Sequence, residues 1–249
     1  MKRTWMIRLG ITLILLAAIL LLYSIFGPGN NGEEEFQTSL QEEDLLIPTE
    51  EEGHHYPAPS VTIDFDGLLE INEEITGWIW IPDSPINYPV LRGDDNQKYL
   101  TRSYKGTYDR NGSVFMDYRC QPDYTTKHTI LFGHNMLTED IFGTLERYKE
   151  PAYLSGHSLI YILTPDGYQV YQVFSIHDTD AYGETYRVQF NSDERYQQYL
   201  DEMTELSLQP LEITPDSEDL VLTLSTCTSH GNKNDRFVVQ ALLQETVKK

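Results

Sequence analysis

Apolar residues fall in short runs along most of this chain, each bounded by Gly, Pro, Asn, Asp or Ser. Runs of that length with such punctuation read as strands. The pattern predicts strands at Trp78–Ile81, Tyr88–Leu91, Gly112–Asp117 and Thr129–Phe132. It predicts a hairpin formed by Ser158–Leu163 and Tyr168–Ile176 around Thr164-Pro165-Asp166-Gly167, a sequence suited to a tight turn. Leu220 to Leu243 reads as two further strands joined by a polar loop containing Gly and Asn.

Helical spacing is rarer. Phe65, Leu68, Leu69 and Ile75 suggest a helix over Asp64–Thr76, capped by Asp64 and stopped by Gly77. Asn96–Leu100 is a candidate single turn, and Ile141–Tyr148 a short amphipathic helix ended by Pro151. Asn191 or Ser192 caps a longer helix running to about Leu206, with Tyr196, Leu200, Met203 and Leu206 as its buried stripe. Many short strands with few helices between them predict a mainly β fold, a barrel or a sandwich, and not a doubly wound parallel sheet.

The exception to the short-run pattern is Leu9–Phe26, a nearly unbroken apolar stretch of about 18 residues. Lys2, Arg3 and Arg8 precede it, which predicts a single-pass plasma-membrane anchor with a cytoplasmic N-terminus and everything after it outside the cell. Ser24-Ile25-Phe26-Gly27-Pro28 is a poor cleavage site, so the anchor is expected to be retained. Four segments follow: a cytoplasmic 1–8, an anchor 9–26, an acidic disordered linker 27–60 and a catalytic domain 61–249.

Charge sharpens this division. The formal net charge is -21, which argues against a nucleic-acid partner. No Lys or Arg lies between Arg8 and Arg92, and acids crowd the interval from Glu33 to Asp83. The acidity thus belongs largely to the tether. The His54-His55 pair has no further ligands at site-like spacing, so neither metal nor cofactor is expected.

The candidate chemistry lies in Leu220–Leu243. Cys227 closes the first of the two strands and Arg236 opens the second, so antiparallel pairing brings them within a few ångströms of each other. A nearby cation favours the thiolate. Along the strand, Leu220, Leu222 and Leu224 alternate with Val221, Thr223, Ser225 and Cys227, which predicts a leucine face toward the core and Cys227 on the more accessible face. Such a nucleophile needs an acid–base partner. His134, after Gly133 at the end of Thr129–Phe132, is the best placed of the seven histidines; His230 is its local rival.

The segments LFGHNM and TLSTC, with an Arg nine residues after the Cys, resemble the sortases, membrane-anchored cysteine transpeptidases of Gram-positive bacteria. YPVLRGDDNQKYL, GSVFMDYR and the Ser192–Leu206 helix are similar to class B, and the resemblance covers about Leu68 to Leu243. It implies an eight-stranded barrel with an N-terminal helix and a long helix before the Cys strand. It also implies cleavage of a C-terminal sorting signal of a secreted protein after Thr, through a thioacyl intermediate on Cys227. His134 would act as acid and base and Arg236 would steady the oxyanion. The acceptor would be an amine of a lipid-linked peptidoglycan precursor or, in pilus-building members, a lysine. Asn96, Leu100, Thr185, Tyr186 and Ser225 align with groove positions of the class. Phe132 stands where a Tyr is familiar, and Thr185-Tyr186 where a Tyr-Ile pair is usual. Two other readings fit the same residues: an exported hydrolase using water, and a binding domain with a Cys120–Cys227 disulfide.

Overall fold

Val221–Cys227 (β7), the strand that ends in the candidate nucleophile, is hydrogen-bonded on both edges. On one side it runs parallel to His128–Phe132 (β4), from His128↔Val221 to Phe132↔Ser225. On the other it is antiparallel to Asp235–Lys248 (β8), from Val221↔Leu242 to Cys227↔Arg236. With Ile75–Trp80 (β1), Asn87–Leu91 (β2), Val114–Met116 (β3), Leu159–Thr164 (β5) and Gly167–Asp180 (β6), these strands close a barrel in the order β1-β2-β3-β4-β7-β8-β6-β5. The β2–β3 and β4–β7 pairs are parallel and the rest antiparallel. Closure leaves no sheet edge, and eight strands enclose a lumen that side chains can fill. This computed structural model describes residues 55–60, 62–228 and 232–249. The anchor, nearly all of the linker, His54 and His230 lie outside them.

The barrel is the predicted mainly β fold, but several elements differ from the sequence reading. The first helix, α1, is Phe65–Ile71, capped by the Asp64 carboxylate, which accepts from Gly67 N at 3.0 Å. It ends at Asn72, whose N–H bonds Leu68 O, and the chain is already in β1 by Ile75. Gly77 is therefore a strand residue. A Cβ there would come within 2.6 Å of the Tyr124 hydroxyl and 2.9 Å of Leu163 O, so close packing and not a helix stop explains it.

Ile141–Tyr148 is not an α-helix. Ile141 has φ 56°, a left-handed conformation that ends any helix there, and only Leu145–Lys149 coils, as a 3-10 turn. Pro151 begins the next helix instead of ending the last: α2, Pro151–Gly156, has the proline in its first turn, where a missing N–H costs nothing.

The long helix α3 is Asp193–Glu205, with Ser192 Oγ accepting from Arg195 N at 3.2 Å. Its buried stripe is Tyr196, Tyr199, Leu200 and Met203, while Leu206 is half exposed at the C-cap. This stripe packs with Phe174, Val221 and Leu242 on the outer face of β6, β7 and β8. By alternation Leu222 and Leu224 face the lumen. Both faces of β7 are therefore buried as far as Thr226, and accessibility begins at Cys227. The polar face is not simply the open one. Half of it lies under α3.

Tyr56 and Pro57, assigned by sequence to the linker, are tied to the domain. Tyr56 N donates to Glu245 Oε2 at 3.2 Å, and Tyr161 OH donates to Pro57 O at 2.8 Å.

Candidate active site

The register of four strands lays out the floor of the site. Phe115 on β3 sits opposite Phe132 on β4, Phe132 beside Ser225 on β7, and one step further Cys227 pairs with Arg236 on β8. α3 stops short of this end of the sheet, and a groove of about 280 Å3 opens there. Cys227, His134 and Arg236 line it together with Asn96, Leu100, Tyr186 and Ser225. Both cysteines are free thiols, Cys120 buried and Cys227 exposed, so the disulfide reading falls. Burial raises the Cys120 pKa to about 11, which leaves that thiol inert.

His134 follows β4 and is half-buried. Its Nε2 lies 2.8 Å from Leu100 O. A carbonyl can only accept, so Nε2 carries a proton and Nδ1 is the nitrogen that gains or loses one. Arg236 Nη1 donates to Lys233 O at 2.9 Å and to Asp235 O at 3.0 Å. The guanidinium is thereby fixed by its own loop, with Nε and Nη2 lacking a partner among the described residues. Cross-strand partners stand about 5 Å apart at Cβ, so Arg236 and Cys227 leave the ladder side by side, and both line the groove. A nucleophile, a proton carrier and a fixed double donor thus share one groove, which is the minimum set for acyl transfer through sulfur.

The groove wall opposite is Tyr186, in a 3-10 turn over Glu184–Tyr186. Its ring stacks on Phe132 with centroids 6.1 Å apart, and its hydroxyl lies 2.8 Å from Ser225 Oγ. Burial lifts its pKa to about 12, so it stays a neutral hydrogen-bonding group. Thr185 lies beneath the groove, not in it. Its hydroxyl is buried 3.2 Å from His177 Nε2 and 3.0 Å from Thr179 Oγ1, and its carbonyl accepts from Tyr199 OH at 3.2 Å.

A second polar group lines the groove that sequence reasoning did not single out. Asp117, fully buried, accepts from Arg119 Nε (2.8 Å) and Nη2 (2.7 Å) and from Asn96 Nδ2 (3.0 Å). Burial alone would raise its pKa, but the Arg119 hydrogen bonds and charge outweigh that and hold the carboxyl below its usual range. Arg119 Nη2 also donates to Tyr186 O at 3.2 Å, joining the two walls. The signal available in sequence was Asp117 two residues before Arg119, the spacing of an Asx turn, in which the Asp117 carboxylate also accepts from Arg119 N at 2.9 Å.

A family model for the sortase domain matches residues 79–244. The chain belongs to the sortase family. Sortase B of Staphylococcus aureus (strain NCTC 8325 / PS 47) is 32% identical over 203 residues, 81% of each chain. Sortase B of Listeria monocytogenes serovar 1/2a is 31% identical over 178 residues, 71% of this chain and 72% of that one. Among solved structures, a Staphylococcus aureus sortase B–substrate complex superposes with a TM-score of 0.69 at 33% identity, covering 74% of this chain and 85% of that one. Sortase B from B. anthracis in complex with AAEK2 gives 0.68 at 34% identity, covering 81% and 89%. This sortase is accordingly a class B cysteine transpeptidase that processes sorting signals, built on the closed eight-stranded barrel of those relatives.

Proposed function

We propose that this sortase cleaves a C-terminal sorting signal of secreted proteins after Thr, with Cys227, His134 and Arg236 as its catalytic residues. The carrying observation is that all three side chains line one groove although His134 follows β4 and Cys227 closes β7, some ninety residues later. The Cys227 thiolate adds to the threonyl carbonyl carbon, and Arg236 donates to the oxyanion that forms. The C–N bond breaks as His134 Nδ1 protonates the leaving amine, leaving a thioester on Cys227. An incoming amine attacks that thioester, gives its proton to His134, and releases Cys227 as thiolate. Asn96, Leu100, Tyr186 and Ser225 bind the peptide, and Thr185 supports Tyr186 from below.

The acceptor in this reading is an amine of a lipid-linked peptidoglycan precursor, and the enzyme is held to the plasma membrane by Leu9–Phe26 with its N-terminus cytoplasmic. That apolar run, with Lys2, Arg3 and Arg8 before it, supports the anchor. A lysine of a pilin subunit is chemically equivalent as acceptor. The test is the full-length chain in detergent with sorting-motif peptides and oligoglycine or lysine amines. An amide product dependent on Cys227 is expected. Release of the threonyl acid alone, at a rate indifferent to added amine, would make the protein a hydrolase.

A further inference from the structure

The β4–β7 ladder stops just before the chemistry begins. Its last paired residues are Phe132 and Ser225, and Gly133 N adds a final backbone bond to Ser225 O at 3.2 Å. Beyond that point the chain carrying His134 turns away, and side chains take over from the ladder. Thr226 Oγ1 donates to Gly133 O at 2.9 Å, and Asn135 Nδ2 donates to Cys227 O at 2.8 Å. One bond precedes His134 in sequence and the other follows it. The two residues that complete them on β7 are Thr226 and Cys227 itself.

The far side of the same loop is held as well. Phe142 N donates to His134 O at 3.1 Å. Ile141 keeps φ 56°, a costly conformation for a β-branched residue, and its N–H donates to the Tyr88 hydroxyl at 3.0 Å. Ile141 and Phe142 fill the space that a Cβ on Gly133 would occupy, since that atom would come within 2.8 and 2.7 Å of them. Strain of this kind persists where the surroundings over-determine a conformation, and it gathers at functional sites. Here the over-determined element is the backbone of the proton carrier.

We propose that Thr226 and Asn135 are positioning residues for the His134–Cys227 pair, their two hydrogen bonds fixing the imidazole's distance from the thiol. Each carries out no chemistry. Loss of either leaves the peptide-binding groove in place but lets the imidazole drift, and a displacement of about 1 Å costs up to about 10²-fold in rate. The inference rests on His134 and Cys227 being the reacting pair.

The test uses the full-length enzyme. Thr226→Val, which removes the hydroxyl at constant shape, and Asn135→Ala are each expected to lower kcat by about 10- to 100-fold while the peptide KM stays within about twofold. The pH–rate profile of kcat should shift in both, and Thr226→Ser should restore it. A purely structural role would lower the melting temperature and leave the kcat profile in place. Should one variant fail to fold, the other carries the test alone. Turnover retained in Cys227→Ala would overturn the reacting pair itself. Turnover lost in Cys227→Ala but unchanged kcat in Thr226→Val and Asn135→Ala, or losses confined to KM, would overturn only the positioning role.

Discussion

The β4–β7 pair has a histidine near each end, and the two do opposite jobs. At the end under α3, His128 is fully buried: its Nδ1 donates to Arg187 O at 2.7 Å, and its Nε2 accepts from the Thr223 hydroxyl at 2.6 Å. Thr223 accepts in turn from Gln240 Nε2 at 2.9 Å, so both ring nitrogens and the threonine hydroxyl are occupied. Burial drives the ring's pKa down to about 4. At the open end, His134 has one nitrogen committed to Leu100 O and the other free to exchange a proton in the groove. Residue type is the same, and both flank one strand, His128 opening β4 and His134 two residues past its end. What differs is whether a helix covers that stretch of sheet, and α3 covers only one end.

The comparison predicts that the open end can be altered without loss of fold. Cys227→Ala should remove turnover by at least about 10³-fold while leaving the melting temperature unchanged, because the side chain is exposed. A large fall in melting temperature would mean that the two ends are not separable.

The covered end should announce itself in stability instead. His128 and His177 both have pKa values lowered to about 4 by burial, against 6.5 in the unfolded chain. Between those limits the unfolded chain binds protons that the folded one refuses, so stability is full above pH 6.5 and falls as pH drops toward 4. Each ring should account for on the order of 3 kcal/mol across that window. Denaturant unfolding at a series of pH values measures it, and His128→Gln should flatten part of the slope. An unaltered slope would remove His128 from the account.

Arg236→Lys comes next. A lysine lacks the planar fork that the Lys233 and Asp235 carbonyls hold in place, so kcat should fall by about 10²-fold with folding intact. Near-normal turnover would reduce Arg236 to a point charge. The smallest effect belongs to the groove wall. Tyr186→Phe loses only the bond to Ser225 Oγ, worth about 1 kcal/mol, and should raise peptide KM by a few-fold with kcat retained.

How much of this was legible in sequence follows the same division. The open end was readable because its residues stand at strand ends: Cys227 and Arg236 follow from two apolar runs and a loop, and His134 from a strand ended by Gly133. The covered end was not, because a helix stripe says that α3 buries a face without saying which sheet receives it. β6 was read as ending at Ile176, since Ser175 and His177 look like the close of a strand. They are interior instead, with Ser175 Oγ donating to Met203 O at 2.6 Å and His177 bonded to Thr185. Thr185 was named through the resemblance alone, and the structure sets its hydroxyl beneath the groove. Strand alternation does not apply in a 3-10 turn, so adjacent Thr185 and Tyr186 could not be sorted into inward and groove-facing by spacing.

The docking of Tyr56 and Pro57 settles a question of traffic. They bind near Gln244 and Glu245, beyond the Val221↔Leu242 pairing and so on the rim away from Cys227. Glu245 lies nine residues further along β8 than Arg236, roughly 30 Å along the strand. Tyr56 and Pro57 therefore meet the barrel on a different rim from the one at which Cys227 opens. A peptide seated in the Cys227 groove thus does not have Tyr56 or Pro57 among the residues around it.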